Sequence, residues 1–287
     1  MRLIAFKNRS GQARLGARQG EQIVDLTAAG LPDSLDALLR QGEAGMAVAR
    51  AAVEQRAHCL PLAGITWLPP VAQPSKAFAI GLNYKDHAAE SKFDLPRYPV
   101  IFQRFASSWV AHGEPIVRPH VSVQFDYEAE LVAVIGKAGR YIPKERALEH
   151  VAGYSVFNDG SIRDYQTKSG QWLWGKNFDN SGGFGPEFVT TDELPPGAVG
   201  LNIQCRLNGQ VLQNANTRDM IFDVATLVAA CSEGMALQPG DIIITGTPSG
   251  VGLARTPQVW MKAGDVCEIE VEGVGVLRNP VVDERQP

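Results

Sequence analysis

Two glutamates stand two residues apart within a long apolar stretch, residues 125–135. Alternate side chains of a β-strand share a face, so a strand here points Glu128 and Glu130 the same way. Both faces of this strand are apolar enough to be buried. Two buried neighbouring carboxylates repel each other and lose hydration, so either one takes a proton or a cation lies between them. The alternative is a strand that ends in water with two solvated glutamates.

A third carboxylate, Asp159, follows a predicted strand over residues 152–157 and precedes a glycine turn. Strand ends are good places for ligands to converge, although an aspartate at a turn or a helix cap is a common alternative. Three oxygen ligands without histidine or cysteine suit Mg²⁺ or Mn²⁺ better than Zn²⁺. Such an incomplete set leaves room for water and substrate oxygens, as a catalytic metal site requires.

A histidine and a glutamate share one face of a helix predicted from Asn83, its expected cap, to residue 91. His87 and Glu90 are three residues apart, which places them side by side. A carboxylate beside an imidazole fixes its tautomer and raises its basicity, as a general base requires. An ordinary surface pair is the alternative, because pairs with this spacing are frequent.

Other polar residues occur in turns and short helices. Lys176 lies among aromatic residues, where it would stabilise a developing oxyanion, and the alternative is an ordinary surface lysine. Residues 245–252 form a glycine-rich turn that lacks the P-loop ending. Its backbone N–H groups and Thr247 are predicted to cradle a carboxylate. Arg163 and Gln166 follow Asp159 on a predicted short helix.

Composition narrows the class of protein. The chain has 287 residues, is 45% hydrophobic and 20% charged, and carries a formal net charge of -4. These values indicate a globular fold and argue against a general nucleic-acid binder, which is normally strongly basic. No apolar run approaches the ~20 residues that cross a membrane, and residues 1–20 do not resemble a signal peptide. Four cysteines without a CxxC pair fit a reducing compartment, so we expect a cytoplasmic protein.

The elements that must position these residues are mostly short strands. A proline-rich stretch at 68–74 suggests a small α/β domain over residues 1–72, with a catalytic domain over residues 73–287. The second part has many strands, few helices and an Asn208-Gly209 hairpin turn. This pattern predicts an α+β, β-rich fold with a mixed sandwich or barrel-like catalytic domain. The predicted strands cover residues 3–6, 13–17, 23–25, 77–81, 99–102, 125–135, 152–157, 201–207, 241–245, 266–271 and 274–279; the helices cover residues 35–40, 44–58, 83–91, 145–150 and 222–235.

An ordered series of motifs resembles the fumarylacetoacetate hydrolase family. Each motif is weak alone, but the set in this order is specific, and it covers roughly residues 76–282. The motifs are Gly81-Leu82-Asn83-Tyr84 with His87 and Glu90; Glu128-Ala129-Glu130; Asn158-Asp159 with Arg163-Asp164-Tyr165-Gln166; Gly175-Lys176-Asn177-Phe178-Asp179; and residues 239–252.

The resemblance implies a catalytic domain of the fumarylacetoacetase C-terminal type, usually dimeric, behind a small variable N-terminal domain. Within it, Glu128, Glu130 and Asp159 match the ligands of Mg²⁺ or Mn²⁺. The resemblance also implies a role for His87 with Glu90 as a water-activating pair, often on a mobile lid. Lys176 and Gln166 match family positions that face the substrate oxygens. Thr247 matches a position near the substrate carboxylate. The further candidate substrate contacts are Tyr84, Arg104 and Arg163.

Two positions depart from the family pattern. Arg104 stands where many relatives carry lysine, and its planar donor fork would read a different substrate group. Leu82 replaces an arginine found in some members, which removes one possible carboxylate contact.

The expected activity is therefore metal-dependent hydrolysis of the carbon–carbon bond of a 2,4-diketo acid, giving pyruvate or a related 2-keto acid and a carboxylic acid. Decarboxylation of an oxaloacetate-like acid, or isomerisation or hydration of a 2-hydroxy-dienoate, is the alternative on the same site. A non-catalytic metal-stabilised binder is a third hypothesis, which the His87–Glu90 pair disfavours. The polar segment 90–98 is expected either to close over the site or to be a fixed loop. We expect a small keto-acid substrate, a homodimer, and no nucleic-acid or membrane partner.

Overall fold

The computed structural model of the protein describes residues 1–56, 58–90 and 94–285. Strands dominate it, with short helices between them. The α-helices are α1 (Leu35–Arg40), α2 (Gly42–Glu54), α3 (Lys85–Glu90), α4 (Arg163–Gln166), α5 (Leu173–Lys176) and α6 (Val224–Gly234). The strands are β1 (Arg2–Lys7), β2 (Ala13–Gln19), β3 (Gln22–Asp25), β4 (Cys59–Pro61), β5 (Thr66–Leu68), β6 (Ala77–Gly81), β7 (Val100–Gln103), β8 (Trp109–Val110), β9 (Ile116–Arg118), β10 (Phe125–Asp126), β11 (Ala129–Ile135), β12 (Val151–Asn158), β13 (Ser161–Ile162), β14 (Gly182–Thr190), β15 (Asn202–Leu207), β16 (Gln210–Asn216), β17 (Ile242–Ile244), β18 (Val266–Val271) and β19 (Gly275–Asp283).

The strands form two main sheets. The larger runs β4-β3-β2-β1-β14-β12-β11-β17-β6-β7, with β5 joined to β1 and β8 joined to β14. The smaller runs β16-β15-β18-β19-β9, and β10 pairs with β13 as a separate two-stranded ribbon. Most pairs are antiparallel, whereas β17–β6, β14–β8 and β19–β9 are parallel. The expected β-rich α+β class is confirmed, and the large sheet is open, with β4 at one edge and β7 at the other.

Residues 1–72 share the large sheet with the rest of the chain. β1 pairs with β14 through Arg2 opposite Val189 and Leu3 opposite Phe188. The apolar cluster under this sheet takes Leu15 and Leu38 from the first part together with Phe157 from the second. The predicted division at residue 72 stays a prediction, since the two parts are joined by both pairing and packing.

The carboxylate-bearing strand β11 is buried on both faces, as its sequence predicts. Leu131 and Ile135 contribute to the core cluster on one face. Val132 and Val134 contribute to the cluster on the other. The antiparallel partners β12 and β17 lie on either side of β11, so its backbone groups are paired.

Several predicted boundaries differ from the observed ones. Residues 125–135 form two strands, because the chain leaves β10 after Asp126 and enters β11 at Ala129. The helix expected over residues 44–58 ends at Glu54. Asn83 does not cap α3; its side chain donates to the carbonyls of Thr245 and Phe222 and accepts from the Phe222 amide. The hairpin turn is confirmed, with positive φ at Asn208 and Gly209.

None of the helices in the described part of the chain combines the length and the apolar character that a membrane crossing requires.

Candidate metal and acid–base site

The three predicted metal ligands converge. Glu128, Glu130 and Asp159 are buried, and each offers an oxygen within 4.8 Å of the others. The strand register explains this, because Ala129 of β11 pairs with Asn158 of β12. The Asp159 amide then donates to the Glu128 carbonyl at 3.0 Å, which sets Asp159 beside the glutamate pair. The convergence expected from the strand ends is therefore present.

The two glutamates have opposite electrostatic surroundings. Burial raises the pKa of Glu128, but the charges of Lys176 and Arg163 outweigh it and lower that pKa to about 2. Burial raises the pKa of Glu130 well above its usual range, and the negative charges of Asp159 and Glu128 raise it further. The Gly246 amide, in the turn that follows β17, donates a hydrogen bond to the Glu130 carboxylate. The raised pKa of Glu130 reflects repulsion within the cluster, which an added cation would relieve.

Lys176 supplies one positive charge to this cluster. Its ammonium nitrogen lies 2.6 Å from Glu128 Oε2 and 2.7 Å from Asp159 Oδ2, and its side chain is 2% exposed. The short helix α5 places it there, and its ammonium lies 5.4 Å from the centre of the Phe102 ring. The cluster thus requires positive charge, and its oxygen-only donors are those preferred by a hard divalent ion. The residues present fit Mg²⁺ or Mn²⁺.

Arg104 lies behind Asp159 rather than beside the substrate cavity. Its Nη1 donates to Asp159 Oδ1 at 2.5 Å and to the Gly160 carbonyl at 3.1 Å. Its remaining nitrogens donate to the hydroxyl and carbonyl of Ser108. Since the guanidinium is fully engaged and its side chain is 0% exposed, the structure contradicts a direct substrate contact. We correct this prediction to a supporting role, in which Arg104 orients Asp159.

Arg163 lies on the Glu128 side of the cluster. Its Nη2 is 2.8 Å from Glu128 Oε1, and its Nε donates to Asp126 Oδ2 at 2.7 Å. Burial lowers the pKa of Arg163, but Asp126 and Glu128 outweigh it and raise the pKa overall. Its Nη1 donates to Gln166 Oε1 at 2.9 Å, which orients the Gln166 amide at the cavity wall.

The predicted histidine–glutamate pair is formed. His87 Nδ1 lies 2.9 Å from Glu90 Oε1 on α3. The Gly250 amide donates to both Glu90 oxygens at 3.0 Å, so the carboxylate is held from the glycine turn as well. A carboxylate that accepts from Nδ1 leaves Nε2 as the unprotonated nitrogen of a neutral imidazole. This arrangement suits proton transfer at Nε2.

Thr247 reaches the same cavity from the turn after β17. Its hydroxyl oxygen accepts from Gln213 Nε2 at 2.8 Å, which leaves the hydroxyl hydrogen available to a ligand. Gln213 is buried, and its other contacts are the Pro248 carbonyl and the Ala129 amide. Thr247 is therefore held in a fixed position beside β11.

These groups line one cavity of about 360 Å³. His87, Glu90, Glu128, Glu130, Arg163, Gln166, Lys176 and Thr247 form its polar side. Its other side is apolar and is made of Ile80, Gly81, Leu82, Phe102, Trp172, Val251, Leu253 and Ala254. The cavity has the size and mixed lining of a small-molecule site.

Tyr84 does not lie among the cavity-lining residues. It is 1% exposed, and its hydroxyl finds no hydrogen-bond partner among the described residues. Burial raises the pKa of this hydroxyl, and the nearby Glu130 charge raises it further. The ring belongs to the buried core cluster, and the direct contact between Tyr84 and substrate stays a prediction.

The predicted lid, residues 90–98, falls partly on residues 91–93, which lie outside the described residues. Its closure stays a prediction.

Comparison with known proteins identifies the family. The family model described as "Fumarylacetoacetate (FAA) hydrolase C-terminal" matches residues 76–282. The chain belongs to this family. The resemblance found in the motifs is confirmed, and the family is one of enzymes.

Proteins named for different activities, a tautomerase and two hydrolases, resemble this chain. A mitochondrial oxaloacetate tautomerase of Xenopus laevis is 42% identical over 98% of this chain and 90% of its own length. A fumarylacetoacetate hydrolase of Exiguobacterium antarcticum has a TM-score of 0.87 and 36% identity, and covers 99% of this chain and 100% of that one. A maleylpyruvate hydrolase of Sphingobium sp. SYK-6, solved with manganese(II) and pyruvate, has a TM-score of 0.84 and 29% identity over 99% of this chain and 100% of that one.

Three residues at the site were not singled out from the sequence. Gln213 lies in a stretch that resembles a simple turn, and nothing local indicates its contact with Thr247. Trp172 is one aromatic residue among several in its segment. Asp126 was visible, since it begins the carboxylate segment, but only the structure shows that it faces Arg163 rather than the metal ligands.

Proposed function

We propose that this protein is a metal-dependent enzyme that acts on 2-keto acids through their enolates, and that its reaction is the keto–enol interconversion of oxaloacetate. The observation that carries the proposal is one cavity lined by the His87–Glu90 pair and by Glu128 and Glu130, two of the three clustered carboxylates. The similarity to the oxaloacetate tautomerase of Xenopus laevis supports the choice of oxaloacetate.

The residues divide the work as follows. Glu128, Glu130 and Asp159 would hold Mg²⁺ or Mn²⁺. When bound, the ion supplies Lewis-acid stabilisation of negative charge on a substrate oxygen. Lys176 and Gln166 add donors for the same developing charge, and Thr247 donates to a substrate carboxylate.

The proton balance needs one base. In the direction from enol to ketone, the C2 hydroxyl loses a proton and C3 gains one, while the C2=C3 electron pair becomes the new C3–H bond. His87 Nε2 accepts the proton that the C2 hydroxyl loses, so that the O–H electron pair forms the C2=O bond, and then delivers a proton to C3, while Glu90 keeps the imidazole in the required tautomer. Leu82, Val251 and Leu253 add apolar surface to the lining of the same cavity.

Hydrolysis of a 2,4-diketo acid is the second candidate. The same His87–Glu90 pair suits deprotonation of a water molecule. The similarity to the maleylpyruvate hydrolase of Sphingobium supports hydrolysis as the second candidate. Attack of that water at C4 would break the C3–C4 bond and release the enolate of pyruvate. Decarboxylation and dienoate isomerisation remain further alternatives on this site.

One experiment separates these reactions. Enol oxaloacetate is mixed with the Mg²⁺- or Mn²⁺-loaded enzyme, and the loss of enol absorbance is followed against the uncatalysed rate. Acylpyruvates are tested in parallel for release of pyruvate. We expect metal-dependent acceleration with oxaloacetate. Release of pyruvate from acylpyruvates without acceleration of the tautomerisation would replace the first proposal by the second.

The base assignment is tested in the same assay. His87→Ala is expected to lower kcat by roughly 10²- to 10⁴-fold, the usual contribution of general acid–base catalysis. His120→Ala is the matched control, because His120 forms a second histidine–glutamate pair, with Glu284 at 2.6 Å, outside the cavity. Equal activity of the two variants would refute the role of His87.

The homodimer and the cytoplasmic location are also proposals. Tyr98, Ile101, Phe105 and Met235 are exposed apolar side chains around the edge strand β7, and this supports a second copy as the partner there. Light scattering after size-exclusion chromatography tests the dimer. The relative from Xenopus laevis is named as mitochondrial, so fractionation of the source cells tests the location.

A further inference from the structure

Asp126 is a buried carboxylate that does not itself line the cavity. Its side chain is 0% exposed. Oδ1 accepts from the Gly252 amide at 2.7 Å and from the Tyr127 amide at 2.9 Å. Oδ2 accepts from Arg163 Nε at 2.7 Å and from the Leu253 amide at 3.0 Å. Four N–H donors therefore surround this one carboxylate and fix the positions of both its oxygens.

Arg163 lies between Asp126 and the metal cluster and contacts both. The guanidinium is planar, so the nitrogen that faces Asp126 fixes the direction of the nitrogen that faces Glu128. Nη2 lies 2.8 Å from Glu128 Oε1, as a buried ion pair whose N–H is not aligned for a hydrogen bond, so this contact acts through charge and close packing. Glu128 Oε2 faces Lys176 at 2.6 Å, so both carboxylate oxygens of this candidate ligand have assigned positions.

The glycine turn completes the arrangement. A β-carbon on Gly252 would overlap the Val259 carbonyl and lie 2.7 Å from Asp126 Oδ1, so the close approach requires glycine. The turn's amides at Gly246, Gly250 and Gly252 all donate to the protein's own carboxylates, those of Glu130, Glu90 and Asp126. These donors are thus occupied, and the expectation that they cradle a substrate carboxylate is not supported.

We propose that Asp126 is a positioning residue for the metal site: it holds Arg163, which in turn fixes the orientation of Glu128. By accepting from Gly252 and Leu253, it also anchors the turn whose Gly250 amide holds Glu90 beside His87. One buried carboxylate therefore connects the metal ligands to the base. This inference rests on the metal site proposed above and is independent of which keto acid is the substrate.

The first test is Asp126→Asn. Asparagine keeps the shape but removes the charge and turns an NH₂ group toward donors. Metal affinity, measured by calorimetric titration of the purified chelator-treated protein with Mn²⁺, is expected to weaken by about 10- to 100-fold, as is typical when a group that orients a ligand is lost. This readout does not depend on any activity.

Asp25→Asn is the matched control. Asp25 is also buried, pairs with Arg14 at 2.8 Å and accepts from the Ala28 amide at 2.8 Å, but it lies on β3. We expect this variant to lower the melting temperature while leaving the Mn²⁺ affinity unchanged. A loss of affinity equal to that of Asp126→Asn would show that general destabilisation is the cause and would overturn the proposal.

Arg163→Lys provides a second route if Asp126→Asn does not fold. Lysine keeps the charge but cannot span Asp126 and Glu128 with one planar group. It is expected to weaken Mn²⁺ binding to a similar degree, and the double variant is expected to add little, because both changes break one connection. Fully additive losses would overturn the proposal.

The metal site and the positioning role of Asp126 can be refuted separately. Wild-type protein that binds neither Mn²⁺ nor Mg²⁺ would overturn the metal site and this inference together. Wild-type protein that binds Mn²⁺, with folded Asp126→Asn and Arg163→Lys variants that bind it equally well, would overturn the role of Asp126 alone.

Discussion

The two walls of the cavity are built by different means. On the polar wall, Lys176 holds Glu128 at 2.6 Å and also Asp159, which does not itself line the cavity, at 2.7 Å. On the apolar wall, the Trp172 ring rests against Phe102 and over Gly81, contacts that depend on shape and not on charge. A wall fixed by directional bonds determines the chemistry, whereas a wall fixed by shape determines which substrate fits. Changes to the first are therefore expected to abolish turnover, and changes to the second to redistribute it among substrates.

The largest effect is expected from the polar wall. Asp159→Asn removes a candidate ligand and leaves Arg104 and Lys176 with one fewer charge partner. We expect Mn²⁺ affinity to fall by more than about 100-fold, beyond the range for a group that only orients a ligand. Asp265→Asn, a buried carboxylate that accepts from Lys262 and Asn208, is the control for lost stability. Retained Mn²⁺ affinity in Asp159→Asn would remove Asp159 from the metal site.

A smaller effect is expected when the apolar wall is opened. Trp172→Ala creates space beside Phe102. We therefore expect the ratio of kcat/KM for bulkier acylpyruvates or keto acids to kcat/KM for oxaloacetate to rise by roughly 10-fold. Metal affinity should not change. Trp174→Ala is the matched control, since Trp174 is 63% exposed and does not line the cavity. The same substrate preference in both variants would contradict a selective role for Trp172.

The smallest effect is expected at the rim. Leu253 lines the cavity but is 40% exposed, so Leu253→Ala removes little packing. Its backbone amide, which donates to Asp126, is retained. We expect a change of only a few-fold in KM with kcat preserved, consistent with the modest value of one lost apolar contact. A large fall in kcat would mean that the side chain, and not only the backbone, positions the site.

The sequence predicts the polar wall better than the apolar one. The spacing of two residues predicts that Glu128 and Glu130 point the same way, and both reach the cluster although Glu128 lies just before β11; the i, i+3 spacing likewise brings His87 to Glu90. Trp172 packs against Gly81 across 91 positions of the chain, and no local pattern encodes such a contact. The contact of Arg104 was predicted incorrectly for a related reason. The sequence shows its charge, but only the tertiary structure shows that Asp159 is its ion-pair partner.

The fold shows the same division. Most strands and the Asn208-Gly209 turn follow from alternation and turn chemistry. Asn83 is a good helix cap by residue type, yet it is used to join the strand end before α3 to the segments at Thr245 and Phe222. Burial at that junction makes the backbone groups there expensive to leave unpaired, and this requirement overrides the local preference.

The pairing of β1 with β14 has a consequence for the protein's cooperativity. Leu3, Leu15 and Leu38 share an apolar cluster with Phe157 and Phe188, so a chain begun at residue 73 would expose both an unpaired strand edge and these aromatic rings to water. We therefore expect that the first 72 residues cannot be removed without destabilising the remainder. Heating should melt them together with the remainder in a single calorimetric transition, and the truncated chain should aggregate.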